Sequence, residues 1–383
     1  MHVGNIASME KETRIIISGG GTGGHIFPAI SIANAIKSKE PKAKILFVGA
    51  LGRMEMQRVP AAGYEIKGLP ICGFDRKNLL KNISVLFKIW KSQRMAKRII
   101  KDFKPQAAVG VGGYASGPTL NVSASMGIPC LIQEQNSYAG VTNKLLAKKA
   151  EKICVAYEGM ERFFPADKIV MTGNPVRQSV VESHYSKDEA SKLFGVDPAK
   201  KTILIVGGSL GARTLNESVI QHLDIVENSG VQFIWQTGKY YNEEIRQRLA
   251  DTGKELPMLH VTDFISDMGA AYTVADLIIS RAGASSISEF CLIGKPVILV
   301  PSPNVAEDHQ TKNAMALVNK GAAICVKDAE APGKLLQMAV DTVNDDKQCA
   351  RLSENILGLG LKDSANVIAD EVLKLATAYK TSN

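Results

Sequence analysis

The chain has 383 residues, 45% of them hydrophobic and 22% charged, with a formal net charge of +8. That length exceeds one small core and gives an expectation of two or three globular domains, large enough to fold without disulfide staples. The six cysteines (Cys72, Cys130, Cys154, Cys291, Cys325 and Cys349) stand singly, so neither a disulfide framework nor a zinc motif is read, and Cys130, Cys154 and Cys325 are expected as buried free thiols.

The opening MHVGNIASMEKETR lacks a signal-peptide core, and no apolar run reaches bilayer-spanning length, so a cytosolic chain is expected. Residues 1–12 read as a variable extension. The positive charge favours an anionic partner without choosing among nucleotide, nucleic acid and lipid head group. From Arg14 onward, short β-branched runs alternate with helical stretches. RIIIS, KILFVGA, YEIKGLP, AAVGVGG, PCLIQEQ, KICVAY and KIVMTG read as strands of a first half. TILIVGG, VQFIWQTG, MLHVTDF, DLIIS, PVILVP and AAICV read as strands of a second. Near-continuous apolar runs are what parallel strands covered on both faces require, so the pattern predicts doubly wound α/β architecture twice over. The boundaries read as an N-terminal domain over 13–176, a second domain over 177–362, and a closing amphipathic helix over 363–383 that can pack on either one.

Each half opens on a strand, a glycine turn and a helix: RIIISGGGTGGHIFPAISIANAI and TILIVGGSLGARTLNESVIQHL. Such turns bind phosphate through converging backbone N–H groups and the helix dipole. The G-K-[ST] of a nucleotide hydrolase is missing from both. A dinucleotide-binding enzyme needs an acidic residue near the end of the second strand, and Glu55 falls past it. His25 lies in the first turn of the helix after the loop, where the dipole disfavours protonation; it reads either as a general base or as a residue that only caps or packs.

Further along, LIQEQNSYAG places Glu134, Gln135 and Asn136 at a strand end, suited to hydroxyl recognition or to capping by Asn136 or Ser137. SRAGASSISEF brings Ser285, Ser286 and Glu289 to the first turns of a helix, with Glu289 either a ribose-diol acceptor or a helix-start carboxylate. Asp308, His309 and Gln310 follow another strand's carboxyl end, where open α/β sheets bind ligands. No D-x-D pair or metal-ligand spacing occurs, and no metal or other cofactor is expected.

Residues 79–103, LLKNISVLFKIWKSQRMAKRIIKDF, form a helical pattern with two apolar rows. Leu86, Ile89, Ala96, Ile100 and Phe103 make a row for packing on a sheet. Leu79, Ile83, Phe87 and Trp90 make a second, ringed by lysines and arginines, which suggests docking on an anionic membrane surface; the alternative is one wide core face. Nucleic acid is disfavoured because the aromatics sit inside an apolar row.

Together, GGGTGGHIFPA, GVGGYASGP, QEQNSYAGVTNKLLA, TGNPVR, GGSLGAR, SRAGASSISE and DHQTKNA closely resemble the MurG family, in family order from residue 19 to about 315. The resemblance implies a GT-B glycosyltransferase: two Rossmann-like domains facing an interdomain cleft, with the acceptor side in the first and the UDP-sugar side in the second. It implies inverting transfer of N-acetylglucosamine from UDP-N-acetylglucosamine to the 4-hydroxyl of undecaprenyl-pyrophosphoryl-N-acetylmuramyl-pentapeptide, lipid I, giving lipid II for the cell wall. Carried over by motif, Thr22, Gly23, Gly24, Asn136, Arg177 and Ser209 touch the donor. Ile265 meets uracil through its backbone. Ala284, Ser285, Ser286, Ile287, Ser288 and Glu289 hold diphosphate and ribose, and Gln310 reads the sugar hydroxyls. His25 becomes the candidate base, with Glu134 as an assistant. The family also implies peripheral residence on the cytoplasmic face of the bacterial inner membrane, with other cell-wall synthesis proteins as neighbours. A GT-B enzyme with another lipid acceptor, a nucleotide-sugar epimerase and a non-catalytic sugar-nucleotide-binding regulator are the competing expectations.

Overall fold

The computed structural model describes residues 12–72, 82–176, 180 and 183–382, without the side chains of 82–84 and 306. The chain forms two compact units: one runs to Pro175 and resumes at Asp363, and the other is Val176–Lys362.

In the first unit the strands and helices alternate as β1 (Arg14–Ser18), α1 (Gly23–Lys39), β2 (Lys44–Ala50), α2 (Glu55–Ala61), β3 (Glu65–Leu69), α3 (Asn82–Phe103), β4 (Ala107–Gly110), α4 (Ser116–Ser125), β5 (Cys130–Glu134), α5 (Val141–Leu146), β6 (Lys152–Val155) and β7 (Ile169–Met171). The strands form a parallel sheet in the order β3-β2-β1-β4-β5-β6-β7. Its alternation explains the unbroken apolar runs. Ile15 and Ile17 face a cluster with Ile26, Ile32 and Ile36 of α1, whereas Ile16 faces the opposite cluster with Ala96 and Ile100 of α3 and Leu120 of α4. Both faces are covered, so neither parity of the strand can be polar. Burying each isoleucine contributes about 1.5–3 kcal/mol.

The second unit contains α6 (Lys187–Phe194), β8 (Thr202–Val206), α7 (Arg213–Ile220), α8 (Leu223–Asn228), β9 (Gln232–Gln236), α9 (Asn242–Asp251), β10 (Leu259–Thr262), α10 (Met268–Val274), β11 (Leu277–Ser280), α11 (Ala284–Ile293), β12 (Val297–Leu299), α12 (His309–Val318), β13 (Ile324–Cys325), α13 (Ala331–Asn344) and α14 (Asp346–Leu357). Its sheet is parallel in the order β10-β9-β8-β11-β12-β13. Trp235 is wholly buried, and its indole N–H donates to Asn216 Oδ1 at 3.0 Å, so the largest core side chain leaves no polar atom stranded.

The last helix, α15 (Ser364–Ser382), belongs to the first unit. Ile368, Ala369, Val372 and Ala376 are buried in the cluster that holds Ile15, Ile26 and Ala29. Lys39 pairs with Asp370 at 2.9 Å beside them. Cys130 and Cys154 are buried free thiols, whereas Cys325 is partly exposed.

Candidate functional site

Both sheets reverse their strand order at one point, between β1 and β4 and between β8 and β11. Loops leaving the carboxyl ends of such strands splay apart and form ligand crevices. The glycine turns fall at these two points.

In the first unit, the loops after β1 and β4 meet through backbone, with Gly20 N–H donating to Gly112 O at 3.3 Å. Gly113 has φ +89°, and a Cβ there would stand 2.3 Å from Gly20 O, so only glycine allows this approach. Thr22 is the N-cap of α1 with Gly23 and Gly24 in its first turn, and the His25 N–H donates to Thr22 O at 3.1 Å. His25 Nδ1 lies 3.0 Å from Gly20 O. A carbonyl only accepts and is the nearer partner, the Thr22 hydroxyl lying 3.4 Å from Nδ1, so the contacts favour the proton on Nδ1 and leave Nε2 as the basic nitrogen. The ring's Nε2 edge lies over Gly112, where a Cβ would come within 2.9 Å of it.

In the second unit, a cavity of about 580 Å³ opens at the equivalent point, lined by Gly208, Gly211, Arg213, Gly283, Ser286 and Gln310 among others. Gly283 caps α11 without a side-chain hydrogen bond, and Ile287 N–H is the donor that reaches Gly283 O. The first-turn N–H groups of Ala284, Ser285 and Ser286 therefore precede any intrahelical acceptor, and with the dipole they suit an anion. Glu289 lies two turns into α11, buried, with the Tyr272 hydroxyl donating to its Oε2 at 2.9 Å. Gln310 Oε1 accepts from Ala282 N–H at 3.2 Å and Ser302 N–H at 2.8 Å. Those two donors fix the carboxamide orientation and turn its NH₂ away from them.

The chain matches the Glycosyltransferase family 28 N-terminal domain over residues 15–155 and the C-terminal domain over 202–368. It is 72% identical over 98% of its length to a UDP-N-acetylglucosamine–N-acetylmuramyl-(pentapeptide) pyrophosphoryl-undecaprenol N-acetylglucosamine transferase of Phocaeicola vulgatus, all of which is covered. The transferase of the same name from Bacteroides thetaiotaomicron is 68% identical over 97% of this chain and all of its own. The crystal structure of Acinetobacter baumannii MurG superposes with a TM-score of 0.78 at 30% identity, covering 94% of this chain and 99% of that one. The chain belongs to the MurG family.

The family's motif residues fall into two groups here. Thr22, Gly23, Gly24 and His25 gather at the first switch point, and Ala284, Ser285, Ser286, Glu289 and Gln310 at the second. Ser209 is exposed in the loop after β8, its carbonyl accepting from Lys239 N–H at 3.2 Å. Ser285 Oγ is buried without a hydrogen-bond partner among the described residues. Arg177 and Leu79 lie outside the described residues, as does the side chain of Ile83.

Other motif residues are engaged within the protein. Ile287 is 1% exposed and its side chain belongs to the core, while Ser288 Oγ donates back to Ala284 O at 3.0 Å. Ile265 is buried, and its N–H already donates to Gln236 Oε1 at 2.8 Å. Glu134 is 1% exposed. Its Oε1 accepts from Asn136 N–H at 3.0 Å and Asn136 Nδ2 at 3.3 Å, and its Oε2 from Gly140 N–H at 3.0 Å and Asn143 Nδ2 at 2.8 Å. Four donors occupy its lone pairs, so Glu134 organises the loop after β5. Gln135 also turns inward, donating to Val111 O at 2.8 Å.

The packing row of α3 begins one residue earlier than its pattern suggests. Val85, Ala96 and Ile100 are buried, whereas Leu86, Phe87 and Trp90 are 60%, 64% and 51% exposed. The Phe87 and Trp90 rings lie 5.8 Å apart and the Arg94 guanidinium sits 4.9 Å from the Trp90 ring. No helix among the described residues is long and apolar enough to cross a membrane.

Sequence reasoning set Glu55 aside as falling past the end of the second strand. It is fully buried at the start of α2 and turns back onto the glycine loop, where its Oε2 accepts from Gly21 N–H at 2.9 Å and its Oε1 from Ala50 N–H at 3.0 Å. The only signal for it is a carboxylate close behind a strand whose neighbours in the loops are glycines.

Proposed function

We propose that the chain transfers N-acetylglucosamine from UDP-N-acetylglucosamine to the 4-hydroxyl of lipid I, forming lipid II with inversion to a β1→4 bond. The observation that carries this reading is the open N-terminus of α11 beside the 580 Å³ cavity, with Gln310 and Tyr272 in its lining and Glu289 hydrogen-bonded to Tyr272. First-turn N–H groups take the diphosphate, the Glu289 carboxylate accepts from the ribose hydroxyls, and the Gln310 NH₂ donates to the sugar. The acceptor oxygen attacks the anomeric carbon as the bond to the UDP oxygen breaks. His25 Nε2 takes the proton of that hydroxyl. Negative charge gathering on the leaving UDP is stabilised by the same N–H groups, which are already oriented before the reaction.

UDP release from UDP-N-acetylglucosamine is the test, measured with and without a short-chain lipid I analogue. Release that requires the analogue, accompanied by disaccharide product, is expected. Folded, donor-binding protein that releases no UDP in its presence would overturn the reading in favour of another acceptor or a binding role.

The chain also docks peripherally on an anionic bilayer, at its cytoplasmic face, through α3. Leu86, Phe87 and Trp90 offer apolar side chains flanked by exposed Lys88, Lys91, Arg94, Lys97 and Arg98, a combination suited to the head-group boundary. Vesicles rich in phosphatidylglycerol should float the wild type and leave a Phe87→Ser, Trp90→Ser variant behind. Equal flotation of the two would remove α3 as the docking element.

A further inference from the structure

We propose that Glu55 is a positioning residue for His25, acting through the one peptide that joins Gly20 to Gly21; this rests on the reading of His25 as the base. The N–H of that peptide donates to Glu55 Oε2 at 2.9 Å, and its carbonyl, Gly20 O, accepts from His25 Nδ1 at 3.0 Å. Carboxylate, peptide and imidazole thus form an unbroken hydrogen-bonded line. A peptide plane held at its N–H cannot rotate its C=O away from the ring, and donation to a carboxylate polarises that C=O into a stronger acceptor. Both effects favour the Nδ1–H tautomer and hold the ring in place, which keeps Nε2 basic.

The surroundings are shaped for this carboxylate. A Cβ on Gly20 would stand 2.2 Å from the Glu55 carboxyl carbon, and one on Gly49 would stand 2.6 Å from Glu55 Cγ. Gly21, with φ +89°, turns its N–H toward the carboxylate, and Ala50 N–H holds the second oxygen at 3.0 Å. Glu55 is fully buried, so its side chain is not available to a ligand. One N–H of the first glycine turn, that of Gly21, is therefore held by the protein's own carboxylate, which serves the histidine.

Glu55→Gln keeps the volume but sets an NH₂ against one of the two backbone donors. The expected result is a kcat lower by roughly 10- to 100-fold, the scale of a small misplacement of a catalytic group, with the KM for UDP-N-acetylglucosamine within about twofold of wild type. In the His25→Ala background, Glu55→Gln should lower kcat no further; an equal loss in both backgrounds would assign Glu55 to general loop stability and overturn the proposal. Unchanged kcat in folded Glu55→Gln would overturn it too. ¹⁵N spectra of neutral His25 in the wild-type protein decide the matter even if the variant does not fold: protonation on Nδ1 is expected, and protonation on Nε2 would end it. A His25→Ala variant with intact turnover would instead refute the base reading, whatever tautomer the spectra report.

Discussion

The glycine turns after β1 and β11 flank the switch points of the two sheets and have different contents. After β1, Glu55 has entered the turn and holds the Gly21 N–H. After β11, the N-terminus of α11 has neither a side-chain cap nor an internal carboxylate, and Glu289 sits further along, anchored by Tyr272. One topology thus supplies two glycine turns, one with a loop N–H held by the chain's own carboxylate and the other with no carboxylate turned onto it. The difference teaches that strand order locates a site without saying who fills it. That is decided by whether a carboxylate from the next βα connection can reach back, as Glu55 does from α2.

If the closed turn serves chemistry and the open one serves binding, substitutions in the two should separate in kinetics. The largest effect is expected at His25. His25→Ala should lower kcat by about 10²- to 10⁴-fold, the usual contribution of a positioned base, and leave the calorimetric affinity for UDP unchanged. A fall in UDP affinity as large as the fall in kcat would break the division of labour. Glu289→Ala should do the reverse. Removing hydrogen bonds to a charged group costs about 1.5–3 kcal/mol, so UDP affinity should drop by roughly 10- to 100-fold. Tyr272→Phe removes only the neutral donor that orients that carboxylate, about 1 kcal/mol or roughly fivefold. Should Tyr272→Phe match Glu289→Ala, the hydroxyl itself contacts the nucleotide.

Strands were legible in the sequence because burial on both faces makes their central residues a continuous apolar run, as in RIIIS and TILIV. The donor residues were legible as motifs because a helix start, a ribose and a sugar require particular side chains at short spacing. What escaped depends on atoms brought together across the chain. Glu55 and Glu134 are each buried, yet nothing local distinguishes a carboxylate that will fold back on backbone N–H groups from one facing solvent. The α3 row was misplaced by one residue, Leu86 for Val85, because both choices give an apolar stripe and only the sheet beneath selects between them.

A further comparison of the two units uses two thiols, Cys154 in β6 of the first unit and Cys291 in α11 of the second. Burial pushes both up to about 12, with the Glu371 carboxylate adding to the effect at Cys154. The folded protein therefore keeps protons that an unfolded chain releases above about pH 8.5. Their contribution to stability is complete below that pH and declines by about 1.4 kcal/mol per pH unit per thiol until the folded-state values are reached near 12. A chemical-denaturation series from pH 8 to pH 10 should show this fall, and a Cys154→Ala, Cys291→Ala double variant should flatten it. At pH 8, alkylation of either thiol waits on local opening. UDP at about ten times its Kd stabilises the state that binds it by roughly 1.4 kcal/mol, so labelling of Cys291 should slow by up to about tenfold. Labelling of Cys154 should keep its rate, because it lies in the first unit whereas the cavity beside α11 lies in the second. Equal protection of both thiols would mean that nucleotide binding stiffens the first unit as well, and the contrast between a filled and an open turn would then no longer map onto which unit holds the donor.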